Sequence, residues 1–309
     1  MIVTVTLNAA IDKRYVVENF QVGTVNRVLE CSYTAGGKGL NVARIIAQTK
    51  TPVVATGFIG GYAGKYIEQQ LIKQNIENAF YHLTAESRSC VNIWDLTTKK
   101  QTEILEPGFN VSQEHLEALI KHYTTLIEST KVVTLSGSVP QGLSDDVYQE
   151  FVKLAKNAGK KVILDTSGQL LKAGIDAKPT MIKPNIDEIR MLTGKSCNNI
   201  NEIIEAATSI YEKGVKIVVV SLGVQGAAMV CDEGIYKVIV PKIKTVNTVG
   251  CGDALVGGFA LGLSQNLTTL DCLKQACAIA SASALSATTG CFLFEDMQRI
   301  YQEIIIDKL

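Results

Sequence analysis

The chain is sparing with the residues that mark unusual architectures. Only 6 of its 309 residues are proline, 3 are histidine and 1 is tryptophan, while Lys plus Arg equals Asp plus Glu at 30 each. The charge balance leaves no basic excess and no basic cluster, which excludes the footprint of a nucleic-acid or membrane-surface binder. His82, His115 and His122 are too few and too scattered for an imidazole metal centre, and the last two fall on what reads as a solvated helix face. No apolar run approaches the ~18 residues of a membrane-spanning helix. The opening MIVTVTLNAAID lacks a basic leader and a small-residue cleavage pattern, so it reads as a first strand and not a signal peptide. Eight cysteines (31, 90, 197, 231, 251, 272, 277, 291) include no C-x-x-C pair. Reduced thiols in a cytoplasmic protein are expected, not a disulfide framework. Pro- or Ser-rich linkers, repeats and low-complexity segments are also missing.

What is present is a large apolar fraction, 47%, enough for a sizeable core. β-rich runs at 2–7, 53–60, 131–137, 161–168, 180–185 and 216–223 alternate with segments of i, i+3, i+4 apolar spacing at 41–48, 62–74, 112–128, 144–159 and 201–214. Ser112, Ser144 and Asn201 are candidate N-caps, and Gly159 and Gly214 candidate helix ends. Such alternation predicts an α/β fold whose mostly parallel sheet is covered on both faces. Two stretches, 14–37 and 88–108, instead read as antiparallel hairpins. They predict a small β-lid, formed by insertions at about 13–36 and 88–107, on one domain spanning 1–309.

Three polar clusters carry the chemistry. In TVGCGDALVGGFALG (248–262), Gly250, Cys251 and Gly252 should open a helix, where free N–H groups and the positive dipole end favour an anion. Asp253 is then either a first-turn dipole partner or a base beside an anion hole. In AGGKGLNVARII (35–46), glycines carrying Lys38 run into a helix at Asn41: a plain turn, or a polar cradle for a hydroxylated or phosphorylated ligand. In IKPNIDEI (182–189), Asn185 and Glu188 suit either a capping box or water-ordering around magnesium. Two signatures fail. TGKS (193–196) lacks the Walker A glycine, since position 189 is Ile, and neither GCGDAL nor GKGLNV completes G-x-G-x-x-G. Cys272, Cys277 and Trp94 read as packing residues; Asp165 reads either as a strand-end cap or as a group near bound phosphates.

TAGGKGLNVAR, NTVGCGDALVGGF, KPNIDE, VVVSLGVQGA and LSGSVPQG are similar to five motifs of the ribokinase-like carbohydrate kinases, the pfkB family, and occur in that family's order across the whole chain. TLNAAID, the GGKGLNV form and QTEILEPG resemble the branch acting on ketohexose monophosphates. The resemblance implies a three-layer sandwich and ATP- and Mg²⁺-dependent phosphorylation of such a sugar phosphate. Tagatose-6-phosphate is favoured over fructose-1-phosphate, with fructose-6-phosphate, an unphosphorylated sugar or nucleoside, and a non-catalytic sensor as rivals. It makes Asp253 the base and Gly250, Cys251 and Gly252 the anion hole. Asp12, Gly36, Gly37 and Asn41 would meet sugar hydroxyls; Lys38, Arg88 and, from the lid, Arg27 would meet the phosphate already present. Lys183, Asn185, Glu188, Ser221, Gly223, Gly226 and Thr248 would hold ATP, with Asn185 and Glu188 reaching Mg²⁺ through water. Asn247 stands where many of these kinases have Asp, which weakens the expectation of a monovalent cation nearby. Edge pairing of the lid predicts a homodimer.

Overall fold

Ile2, Val3 and Val5 near the N-terminus are fully buried, yet Ile2 joins one apolar core and Val3 and Val5 another. A strand sends successive side chains to opposite faces, so this strand must have a core on each side. The computed structural model describes all of residues 1–309 and shows that arrangement throughout. The chain runs β1 (Ile2–Thr6), β2 (Ala10–Val17), β3 (Glu30–Gly36), α1 (Lys38–Gln48), β4 (Val53–Gly60), α2 (Gly61–Lys73), β5 (Glu77–Asn78), β6 (Tyr81–Leu83), β7 (Arg88–Asp95), β8 (Lys100–Leu105), α3 (Gln113–Ile127), β9 (Val132–Ser136), α4 (Val147–Asn157), β10 (Lys161–Asp165), α5 (Gly168–Ile175), β11 (Met181–Ile182), α6 (Ile186–Thr193), α7 (Ile200–Tyr211), β12 (Ile217–Ser221), β13 (Ala227–Cys231), β14 (Gly234–Ile239), α8 (Cys251–Ser264), α9 (Thr269–Ser283), α10 (Phe294–Glu303) and β15 (Ile305–Lys308).

The large sheet has the order β15-β14-β13-β12-β11-β10-β9-β1-β4-β5, with β6 also on β4. From β12 to β5 every pairing is parallel, while β13, β14 and β15 add an antiparallel edge. Residues of α1, α2, α8, α9 and α10 fill one core, and those of α3 to α7 the other. The α/β sandwich with a mostly parallel sheet is therefore as the sequence pattern predicts. α8 is apolar all round because it is buried between α1 and α9. Gly258 lets the two backbones meet: a Cβ there would stand 2.7 Å from Ala276 Cα. No helix is long and apolar enough to cross a membrane.

The two hairpins form a second sheet of order β3-β2-β7-β8. Each hairpin is antiparallel, and β2 joins β7 in parallel with Asp12 opposite Cys90 and Ala10 opposite Arg88. All eight cysteines are free thiols, and Cys272 and Cys277 are buried in packing.

Some element ends differ from the sequence reading. Ser112 does cap α3, accepting from the His115 N–H at 3.3 Å. Ser144 is not an N-cap: its carbonyl accepts from Val147 in a turn, and α4 begins after Asp146. Asn201 lies inside α7, because Asn199 stands three residues before Glu202 and accepts its N–H at 3.1 Å. The strand expected over 180–185 shrinks to Met181–Ile182, since Pro184 has no N–H to continue a ladder. The extended run before Thr248 leaves the sheet at Ile239, just ahead of Pro241.

Candidate active site

The N-terminus of α8 is built to face an anion. Gly250, at φ +81°, turns the chain left-handed into the helix, and its carbonyl accepts from Ala254 at 2.8 Å. Cys251 N–H donates back to Thr248 O at a long 3.3 Å, whereas the amides of Gly250, Gly252 and Asp253 have no acceptor in the chain. Free donors at the positive end of a 14-residue helix form an anion site. Asp253 follows directly, 6% exposed, and its Oδ2 accepts from Asn41 Nδ2 at 2.7 Å. Burial pushes its carboxyl up to about 6, helped by Asp165 and opposed by Lys38, the Asn41 hydrogen bond and Lys183. Burial also pushes the Cys251 thiol up to about 11, so it stays a neutral wall.

Asp165, fully buried at the end of β10, gathers two cations. Lys38 Nζ lies 3.5 Å from its Oδ2, and Lys183 Nζ 3.3 Å from its Oδ1. Asp165 raises the Lys38 ammonium above its ordinary value, with Asp253 and Glu188 as further acidic neighbours. Lys183 packs over Gly252, where a Cβ would come within 3.2 Å of Nζ. Two ammonium groups share the Asp165 carboxylate here and also face Asp253, so positive charge stands beside the free amides. Lys38 thus points toward these carboxylates, while Arg88 is held on the lid side.

On the lid side, the Asp12 carboxylate lies against Gly36, leaving no room for a Cβ there. Burial pushes Asp12 up to about 6; Arg44 and Arg88 pull it down and Glu103 pushes it further up. Arg88 donates to Asn8 O at 3.1 Å, Glu106 O at 3.0 Å and Ser138 Oγ at 3.4 Å. Gly37 leads into α1 and so to Lys38 and Asn41. Arg27 is the exception among the proposed contacts. It sits on the exposed turn between β2 and β3, with no hydrogen bond or ion pair to bring it to Asp12 or Arg88.

On the other flank, Asn185 and Glu188 make a complete capping box on α6. Asn185 Oδ1 accepts from Glu188 N–H at 2.8 Å, and Glu188 Oε2 from Asn185 N–H at 2.9 Å. Asn185 bridges to Ser221. Beyond Ser221, the 3-10 turn Gly223–Gln225 and Gly226 bend the chain into β13, and Thr248 is exposed just before Gly250. The box leaves Glu188 Oε1 free, and Asp165 Oδ1 is buried with Lys183 as its ion-pair partner. No three His, Cys, Asp or Glu side chains gather into a metal cage. That donor set fits Mg²⁺, which keeps most of its waters and leans on one or two carboxylates and substrate phosphates.

Residues 3–293 match the family described as pfkB family carbohydrate kinase. The chain belongs to this family. It is 41% identical over 307 residues to the tagatose-6-phosphate kinase of Staphylococcus epidermidis, covering 98% of both chains. Among solved structures, Escherichia coli phosphofructokinase-2 in complex with potassium is 28% identical, with TM-score 0.92 and 98% of each chain covered. A possible 1-phosphofructokinase of Thermotoga maritima is 27% identical, with TM-score 0.90, covering 100% of this chain and 99% of its own. As a pfkB kinase the chain is a phosphotransferase acting on a carbohydrate alcohol, with ATP and ordinarily Mg²⁺ as its companions.

Ser138 and Arg44 had no individual role from sequence at this pfkB site, and Asp165 had two open to it. Asp165 ends a buried strand, one of two roles open to it from the sequence. Ser138 follows the strand-ending Ser136-Gly137 and orients Arg88. Arg44 sits in the TAGGKGLNVAR segment but carries no glycine or capping signal.

Proposed function

We propose that the chain transfers the γ-phosphoryl group of ATP to a hydroxyl of a ketohexose monophosphate, with tagatose-6-phosphate preferred to fructose-1-phosphate. The observation that carries the reading is the buried Asp253 carboxylate beside unpaired amides at the start of α8. Asp253 accepts the proton of the acceptor hydroxyl while that oxygen bonds to the γ-phosphorus and the bond to ADP breaks. A base so placed contributes roughly 10²–10⁴-fold. The amides of residues 250–253 meet the negative charge of the migrating group, each worth ~3 kcal/mol by the precedent of acyl transfer. Lys183 and Lys38, tied to Asp165, flank that charge, which is where phosphoryl transfer gains most from protein. When bound through Asn185, Glu188 and water, Mg²⁺ would neutralise the ATP phosphates.

Asp12, Gly36, Gly37 and Asn41 orient the sugar, and Arg88 together with Lys38 meets the phosphate it already carries. Ser221, Gly223, Gly226 and Thr248 line the nucleotide side. For a monovalent cation, Asn247 is the relevant group. Its Nδ2 already donates to Ala287 O at 3.4 Å and Thr289 Oγ1 at 3.3 Å, so a cation there competes with an internal donor. Two chains pair through the lid sheet, which presents an exposed β8 edge.

The preference for tagatose-6-phosphate rests on the Staphylococcus relative, which is similar over nearly the whole chain. The test is a coupled ADP-release panel with tagatose-6-phosphate, fructose-1-phosphate and fructose-6-phosphate. The highest kcat/KM is expected with tagatose-6-phosphate. A higher value with fructose-1-phosphate transfers the assignment to that substrate. Binding without ADP release on all three replaces the kinase with a sensor.

A further inference from the structure

One buried charge has no part in these roles. Arg44, on α1, is 6% exposed and forms no ion pair. Its guanidinium donates to Thr289 O at 2.9 Å and to Ala35 O, and its Nε–H has no acceptor. A permanent cation held among apolar groups without a carboxylate in contact is costly, and an apolar side chain would fill the same space without that cost. The two carbonyls it joins explain its presence. Ala35 directly precedes Gly36, against which the Asp12 carboxylate lies. Thr289 packs its methyl on Gly250, the residue that turns the chain into α8. Gln48 ties the same loop, donating to Gly290 O at 2.9 Å. Arg44 therefore spans from the sugar side to the base of the anion hole.

We infer that Arg44 is a positioning residue for the sugar phosphate: it is the fixed counter-charge of Asp12 and holds the end of β3 and loop 287–290 at a set spacing on either side of the acceptor hydroxyl. The inference rests on the kinase reading. The charged and titratable groups facing Asp12 are Arg44, Arg88, Cys90 and Glu103. Arg44 is the leading charge opposing the burial that pushes Asp12 up to about 6. Without it, Asp12 would bind its proton nearer neutral pH and become a weaker acceptor for a sugar hydroxyl. Asp253 also faces Arg44, but Asp165, Lys38, Lys183 and Asn41 govern it. The effect should fall on the sugar, not on ATP.

The test compares Arg44→Gln and Arg44→Lys with the wild type, reading kcat/KM for the best sugar phosphate between about pH 5 and 8, with KM for ATP alongside. Arg44→Gln is expected to raise the sugar KM on the order of tenfold and to move the acid limb to higher pH. KM for ATP should stay near the wild-type value, and Arg44→Lys should keep the limb in place. An unmoved limb in Arg44→Gln, or equal losses for both substrates, would overturn the inference by reducing Arg44 to a strut. Should Arg44→Gln fail to fold by thermal unfolding, Arg44→Lys decides. A retained limb supports the inference, and a limb that moves despite the kept charge overturns it. Should the wild type turn over no sugar phosphate, the kinase reading fails separately, and calorimetric affinity for tagatose-6-phosphate across the same pH range reads the same limb.

Discussion

Asp253 sets opposing demands on activity and stability. As the proton acceptor it must be ionised, and burial with Asp165 pushes it from 3.8 up to about 6. Turnover should therefore fall as pH drops through about 6. For stability the sign is reversed. A carboxyl whose folded value is raised stabilises the fold below its unfolded value of 3.8 and loses that contribution as pH rises through about 6. At neutral pH its ionised form is thus a burden. Asp253→Asn is expected to lower kcat by roughly 10²–10⁴-fold while stabilising the fold by ~3 kcal/mol. A turnover assay and a thermal melt at pH 7 check both, and near-normal kcat with both substrates bound would remove Asp253 as the base. Asp253 was legible because its glycines are adjacent in sequence and mark a helix entrance. Asp165 was legible only as one of two readings, and Arg44 was not. Asp165 closes an apolar strand and Arg44 lies in an apolar stretch of α1, and only folding brings Lys38, Lys183 and the lid around them.

The first turn of α8 makes these residues into a site. Gly250 holds φ +81° and rests on the Thr289 methyl, where a Cβ would stand 2.6 Å from Cγ2. Gly250→Ala should therefore strain the turn by ~1–2 kcal/mol and tilt the free amides away from the phosphoryl path. A lowered melting temperature with kcat reduced about tenfold or more is expected, against small changes in both KM values. Unchanged kcat would show that these amides do not carry the charge of the migrating group. At this scale the long periodic helices were legible, since burial of one face enforces the 3.6-residue repeat. Their ends were less so. Asn199 and Asn201 are both good caps by type, and only the distance to Glu202 N–H selects Asn199. The capping box at Asn185 and Glu188 is present, and it still leaves Glu188 Oε1 free for solvent or a ligand.

The whole molecule raises the question of how the outer edge of its second sheet survives in water. The parallel core was readable because buried parallel strands are apolar runs separated by amphipathic helices. The β2–β7 junction was not, because it joins hairpins more than fifty residues apart in sequence, and nothing local records it. That sheet exposes every residue of β8, including Ile104 and Leu105, and its β2–β3 turn exposes Val22, Val25 and Leu29. Apolar groups gathered on an unpaired edge are an association surface unless covered. Leu105 pairs with Cys90, which stands opposite Asp12, so these residues share one face of the sheet. A second lid laid on that face would shield both the edge and the sugar side, and bring exposed turn residues such as Arg27 toward a neighbouring chain. A stable contact of this kind buries roughly 1,200–2,000 Å². Sedimentation equilibrium is expected to give twice the chain mass, and Leu105→Glu to give a single chain with a raised sugar KM. A monomeric wild type, or a Leu105→Glu protein that remains dimeric, would separate the lid from assembly and leave Arg27 with no route to the substrate.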